Sequence, residues 1–347
     1  MSAARVVVAD DSAFMRRLIS DVLTRAGIDV VAEVANGREA IEACRLHEPD
    51  VLSLDLAMPE VDGMEVLRKL RTMNGLRIVV VSSFSEDGGV RAVDALSEGA
   101  FELVPKTSAG GKLQDFLDDL LAKVEAAIRE VRSAPRATVV QPPKPPPPLA
   151  PKQKVTRAGS TTGRLVVIAA STGGPRALTN VVKAFPETLG RGLLIVQHMP
   201  AGFTESLAIR LDSLGPLQIS EAEAGAKIKP GHGYVAQGGK HLRIRRQRLE
   251  LSDDAAIGGL KPCADVTIAD AVTEFGGDIV LAVLTGMGRD GSNGAQLVHD
   301  AGGVVIAEHG ETTTVNGMPR AVVEAGLADG VLPIDEIGPA IAEVAGG

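Results

Sequence analysis

Leu165-Val166-Val167-Ile168-Ala169-Ala170-Ser171-Thr172-Gly173-Gly174-Pro175 is the stretch that decides the fold. The apolar run 165–168 predicts a buried strand, the glycines a tight turn, and a helical pattern follows from Arg176. A serine in that turn lies at the carboxyl edge of a sheet, beside a helix N-terminus. Two later stretches repeat the layout. Leu193-Leu194-Ile195-Val196 runs into Gln197-His198-Met199-Pro200, and the apolar run 279–284 runs into Thr285-Gly286-Met287-Gly288-Arg289-Asp290-Gly291. Buried strands that end in reactive side chains predict an open α/β sheet, which gathers its ligand groups at strand carboxyl ends.

Working outward, strand-like runs fall at 165–169, 193–197, 232–236, 241–245, 279–284 and 303–307. Helical patterns lie at 176–184, 204–212, 264–274, 291–300 and 319–326, with a short helix over 332–344. The second half thus reads as a doubly wound, mostly parallel α/β unit with a β-hairpin. Gly238-Gly239 is the expected hairpin turn. The first half alternates in the same way, with strands near 6–9, 30–33, 51–54, 78–81 and 101–104. Helices follow near 14–23, 38–47, 63–72, 88–98 and 111–130. Five strands alternating with five helices predict a flavodoxin-like doubly wound sheet of order 2-1-3-4-5. Between the halves, residues 131–163 hold eight prolines and six Lys/Arg with no Asp or Glu. That composition predicts an extended spacer, so the expected layout is 1–130, a Pro-rich basic linker over 131–163, and 164–347.

A length of 347 residues accommodates two or three domains, and 45% apolar residues argue against a disordered chain. With no Trp and one Tyr there is no stacking platform for nucleic acid, and a net charge of −8 disfavours polyanions. Cys44 and Cys263 are too few and too scattered for a disulfide framework or a thiolate metal site. Neither a secretory signal nor a membrane-spanning apolar stretch is present, so no direct membrane insertion and a cytoplasmic location are expected.

Asp10, Asp11 and Asp55 follow the first and third strands of the first sheet, neighbours in the expected order. Three carboxylates converging on one pocket need compensation, which a hard cation with oxygen ligands supplies, and Mg²⁺ fits. Asp55 would then receive a phosphoryl group, with Ser82 and Lys106 at later strand ends contacting its oxygens.

In the second half, Ser171 needs a base. His198 would take its proton and Asp290 would orient the imidazole. The chain order Ser, His, Asp differs from those of the familiar serine hydrolases, and the Gly-x-Ser-x-Gly elbow is absent. Amides in Gly286-Met287-Gly288, or Thr172, are candidate oxyanion donors. A lone serine in a glycine turn is more often a cap or a phosphate cradle; the two further strand-end groups favour acyl transfer. Cys263, just before a helix, is a rival nucleophile without an evident base, and burial is its expected state. Asp265 reads as an N-terminal helix acid.

Asp10-Asp11-Ser12, the segment Leu54-Asp55-Leu56-Ala57-Met58-Pro59, Ser82-Ser83 and Lys106 resemble a response-regulator receiver. The resemblance implies Asp55 as phosphoacceptor for a CheA-like histidine kinase. It also implies a magnesium site of Asp10, Asp11 and Asp55, Ser82 as the switch hydroxyl and Lys106 as the phosphate contact. Thr107 stands where proline is usual, and Leu103 where an aromatic is usual. The second half resembles the chemotaxis protein-glutamate methylesterase family. The matching stretches are Ala170-Ser171-Thr172-Gly173-Gly174-Pro175, Gln197-His198-Met199-Pro200, 284–291 and Asn316-Gly317-Met318-Pro319.

That second resemblance implies hydrolysis of glutamate methyl esters on the cytoplasmic domains of methyl-accepting chemoreceptors, and deamidation of glutamine. No cofactor is needed for ester hydrolysis. Ser171, His198 and Asp290 would be the triad, Thr172 and Met287 would form the oxyanion pocket, and Arg210 would bind the acidic receptor segment. Cys263 replaces a usual serine, and Glu308-His309 a usual glutamine-acid pair. The chain would work recruited to receptor arrays, the unphosphorylated receiver covering the Ser171 pocket. A receiver-controlled docking module that binds without cleaving is the alternative. A nucleic-acid regulator is disfavoured, because no basic recognition helix is evident.

Overall fold

The computed structural model describes residues 3–83, 86–106, 113–133 and 163–346. They fall into two compact units divided between Lys144 and Pro145. The greater part of the proline-rich segment, and Thr107, lie outside the described residues. No helix among those residues is long and apolar enough to cross a membrane.

The first unit runs β1 (Arg5–Ala9), α1 (Ala13–Arg25), β2 (Asp29–Val34), α2 (Gly37–His47), β3 (Val51–Asp55), α3 (Gly63–Leu70), β4 (Arg77–Ser82), α4 (Glu86–Glu98), β5 (Glu102–Pro105) and α5 (Leu113–Ser133). Its sheet is parallel, in the expected order β2-β1-β3-β4-β5. Helix starts are written in the sequence. Ser12, Asn36 and Asp62 are N-caps whose side chains accept from Met15, Glu39 and Met64 amides, satisfying donors the helix cannot. β3 is buried throughout, so its only route to polar chemistry is its carboxyl end, where Asp55 stands.

The second unit runs β6 (Leu165–Ala170), α6 (Gly174–Val182), β7 (Gly192–Gln197), α7 (Phe203–Asp212), β8 (Gln218–Glu221), β9 (His232–Val235), β10 (His241–Arg245), β11 (Arg248–Ser252), α8 (Ala264–Phe275), β12 (Ile279–Val283), α9 (Ser292–Asp300), β13 (Val304–Glu308), α10 (Met318–Glu324), β14 (Gly330–Leu332) and α11 (Ile334–Ala345). Seven strands form one sheet, β14-β13-β12-β6-β7-β9-β8, with parallel neighbours throughout. β6, β7, β12 and β13 are wholly buried. Each fully buried Leu, Ile or Val there contributes about 1.5–3 kcal/mol of transfer free energy.

The hairpin is present but not where the glycines suggested. β9 has β7 on one side and β8 on the other, so it has no free edge for β10. β10 pairs instead with β11. The turn is Arg246-Gln247, with φ of 51° and 58°, and the Glu274 carboxylate accepts both their amides. A long-range carboxylate thus supplies what a glycine turn would supply locally. β8, β11 and β14 are additions to the expected strands; β8 and β14 are only four and three residues long.

Candidate functional site

In the first unit, Asp10 follows β1, Asp55 ends β3, Ser82 ends β4 and Lys106 follows β5. Ligand atoms of Asp10, Asp11 and Asp55 all lie within 4.8 Å of one another. Lys106 Nζ is 2.7 Å from Asp55 Oδ2 and 2.9 Å from Asp10 Oδ2, and Asp10 Oδ2 is buried with no hydrogen-bond donor aligned on it. Burial pushes the Asp10 carboxyl above its usual range, against the pull of Lys106. An all-oxygen donor set holding a buried, under-compensated carboxylate fits Mg²⁺. Ser82 Oγ donates to Gly88 O in α4 at 3.1 Å, so its hydroxyl is turned to that helix. Leu103 is buried in β5, where an aromatic switch would stand.

In the second unit, the order β12-β6-β7 sets the site. β6 lies between the other two, and later strands are added on both sides of it, so the strand order reverses there and its carboxyl end is a topological switch point. Ala170 pairs in register with Gln197, so Ser171 and His198 leave adjacent strands side by side, about 5 Å apart along the sheet. The backbone ties them: His198 N donates to Ala170 O at 3.0 Å, and Ser171 N to Thr285 O at 3.0 Å. Gln197 does more. Its side-chain amide nitrogen donates to the carbonyls of Ser171 at 2.9 Å and His198 at 3.0 Å, joining the two turns.

His198 Nε2 lies 2.7 Å from Asp290 Oδ2, and His198 Nδ1 is buried without a hydrogen-bond partner. Asp290 also caps α8 from outside. Ala264 N donates to Oδ2 at 2.6 Å; Asp265 N and its own neighbour Gly291 N donate to Oδ1, each at 3.0 Å. Burial opposes ionisation of Asp290, but the His198 bond and these amides outweigh it and bring the carboxyl down to about 2. Asp290 is therefore a fixed anion. Asp265 is in the first turn of α8 as expected, and its carboxylate accepts from Gly294 N and Asn293 Nδ2 on α9.

The turn after β12 is built around Thr285, which sequence reasoning passed over. Its Oγ1 donates to Thr172 O at 2.9 Å and accepts from Thr314 N and Val315 N. Its amide donates to the buried carboxylate of Glu308, which Thr312 Oγ1 also reaches. Gly286 O accepts from Gly317 and Met318 amides, so the Asn316-Gly317-Met318-Pro319 stretch packs against this turn. Gly286 approaches so closely that a Cβ there would stand 2.8 Å from Ser171 Cβ and 2.3 Å from Met318 Sδ. Gly173, at φ 79°, opens α6 where a Cβ would strike the Thr314 side chain.

Of the amides in Gly286-Met287-Gly288, that of Gly286 donates to Val315 O, which leaves those of Met287 and Gly288 as the candidates in that turn. Thr172 is buried beside Ser171, and Met287 is 43% exposed at the rim. Arg210 is half-buried in the last turn of α7, about 10 Å along the helix from its start. Cys263 is buried, and its thiol meets Asp290 Oδ1 rather than a base.

A receiver fold with an acidic pocket, followed by an α/β unit with Ser, His and Asp at three adjacent strand ends, defines a response regulator with a hydrolase output. Comparison with known proteins agrees. A family model described as CheB methylesterase matches residues 166–341, and one described as response regulator receiver domain matches 6–118. A protein-glutamate methylesterase/protein-glutamine glutaminase 1 of Syntrophomonas wolfei is 37% identical, over 97% of this chain and 98% of that protein. A protein-glutamate methylesterase/protein-glutamine glutaminase of Archaeoglobus fulgidus is 38% identical, over 96% of this chain and 95% of that protein. The crystal structure of the Thermotoga maritima CheB methylesterase catalytic domain covers 53% of this chain and 99% of its own, at 42% identity and TM-score 0.51. The chain belongs to the CheB methylesterase family.

Proposed function

We propose that this chain hydrolyses glutamate methyl esters, and deamidates glutamines, on the cytoplasmic domains of chemoreceptors, and that phosphorylation of Asp55 raises the rate. The observation that carries the reading is the His198 pairing. Nε2 is committed to Asp290, Nδ1 stays buried and unpartnered, and the His198 backbone is tied to the strand end that carries Ser171.

Ser171 Oγ attacks the side-chain ester carbonyl while His198 Nδ1 takes its proton. The developing imidazolium faces the fixed anion of Asp290. The carbonyl oxygen, now negative, is met by the Met287 amide, with Thr172 lining the pocket. Collapse breaks the C–O bond to the methoxy group, which leaves as methanol with the proton from His198. Water, activated by the same imidazole, then cleaves the acyl-enzyme to glutamate and free Ser171. A glutamine side chain follows the same course with ammonia leaving.

On the first unit, Asp55 accepts the phosphoryl group from a CheA-like histidine kinase. Asp10, Asp11 and Asp55 would hold Mg²⁺, which offsets charge on the incoming phosphoryl group; Lys106 adds a fixed cation there. Ser82 has a single hydroxyl hydrogen, now given to Gly88 O. Giving it to a phosphoryl oxygen releases that bond to α4 and shifts the population of states. Residues 1–130, 131–163 and 164–347 serve as receiver, linker and catalytic domain, and Arg210 as a receptor contact. A cytoplasmic enzyme recruited to receptor arrays fits these partners. The test is methanol release by full-length protein with and without a small phosphodonor, beside Asp55→Asn. Stimulation confined to the wild type supports the regulation; equal rates in all three overturn it.

A further inference from the structure

Asp290 is held by two strand ends and one helix start. Oδ2 accepts from His198 Nε2 and Ala264 N; Oδ1 accepts from Asp265 N, Gly291 N and, at 3.2 Å, Cys263 Sγ. Three of these donors are backbone amides, present whatever the side chains. His198 is the reacting partner. Cys263 is thus the side chain through which the carboxylate can be adjusted without touching the base. It is also the N-cap residue of α8, yet it makes no side-chain cap bond to its own helix. Its sulfur is turned to Asp290 instead.

Resting on the triad reading above, we propose that Cys263 is a positioning residue of the triad. Its S–H donates to Asp290 Oδ1, fixes which oxygen faces the imidazole, and draws only weakly on the carboxylate's charge. Three features carry this. The thiol is 2% exposed, so water does not compete for it. Burial, then the Asp290 charge, pushes it up to about 12, so it stays S–H, a donor and not a second nucleophile. A thiol is a weaker donor than a hydroxyl, so it leaves more negative charge to stabilise the imidazolium.

Titratable groups around Asp290 are few. His198 faces it from the end of β7, and Cys263 and Asp265 from the start of α8. The Asp265 carboxylate is itself taken by Gly294 N and Asn293 Nδ2 on α9. Removing the thiol leaves Asp290 a stronger partner for the protonated imidazole, so the His198 titration moves up. A hydroxyl in its place does not move it above the wild type.

The test uses full-length protein carrying Ser171→Ala, so that turnover plays no part, with Cys263, Cys263→Ala or Cys263→Ser. Imidazole nitrogen NMR of His198 is followed against pH, and methanol release against pH is recorded in the same variants with Ser171 intact. The expected result is a midpoint about 0.5 pH unit higher in Cys263→Ala, with the acid limb of the rate profile moving equally. Cys263→Ser is expected at or below the wild type; it keeps a donor and so reports even where the alanine variant folds poorly. An unchanged or lower midpoint in Cys263→Ala, or a raised one in Cys263→Ser, overturns the proposal. A shifted NMR midpoint in a protein that releases no methanol supports the positioning role and overturns the esterase reading instead.

Discussion

His198 meets Asp290 through Nε2, 2.7 Å from Oδ2, and this leaves Nδ1, buried and without a hydrogen-bond partner, as the nitrogen free to take a proton. The template triad of trypsin-like proteases pairs its acid with Nδ1 and its serine with Nε2. The tautomer wanted here is the opposite one, with the hydrogen on Nε2. Asp290→Asn, whose amide can face His198 as a donor, therefore disfavours that tautomer. It is expected to lower kcat by about 10⁴-fold with little change in KM, as read by methanol release at saturating receptor.

Asp290 also ties the fold to pH. Its carboxyl titrates at about 2 in the folded chain against an ordinary 3.8. A depressed acid contributes stability that is present above pH 4 and is lost as pH falls through 2. The expected contribution is about 2 kcal/mol. Urea unfolding of wild type and Asp290→Asn between pH 5 and 2 checks it. The gap between the two curves is expected to narrow by that amount across this window.

Gln197 couples the Ser171 and His198 turns through one amide nitrogen. Gln197→Met keeps the bulk and removes both bonds; the His198 carbonyl loses a donor at about 1–3 kcal/mol, while Ser171 O keeps the Gly174 amide at 2.7 Å. A fall in kcat of about 10²-fold, larger than any change in KM, is expected from steady-state rates. Gln197→Glu, which sets an acceptor against two carbonyls, is expected to be worse than Gln197→Met.

How much of this was legible in the chain follows from how local each cause is. The order of the first sheet, and the placing of Ser171, His198 and Asp290 after buried strands, follow from apolar runs that stop at polar residues. The true hairpin turn did not show, because Arg246 and Gln247 are held at positive φ by Glu274, 27 or more positions away. Thr285 and Gln197 were visible only as members of their motifs, and Glu308 only as a departure from the family's usual pair, for a related reason. Each is an ordinary polar residue whose role exists only once neighbouring strands bring distant backbone to it. The one readable signal was position: Gln197 and Glu308 are polar residues closing otherwise apolar, buried strands.

Gly286 shows the same dependence from the other side. A methyl group there meets Ser171 Cβ at 2.8 Å and Ser171 N at 3.1 Å, and neither can retreat without moving β6. Gly286→Ala is expected to lower kcat by at least about 10²-fold and cost about 1–3 kcal/mol of stability. Gly288→Ala meets no neighbour but is strained at φ 86°, so it loses stability without the same contact with Ser171. Paired rate and thermal-melt measurements separate the two.

The central claim is that Ser171 forms the acyl-enzyme. The direct measurement is methanol released from a methylated chemoreceptor fragment by wild type and Ser171→Ala, with receptor binding measured in parallel. The account expects steady release by the wild type, and binding without release, down by about 10⁴-fold or more, in the variant. Release that persists in Ser171→Ala, or a wild type that binds the receptor and frees no methanol, contradicts it.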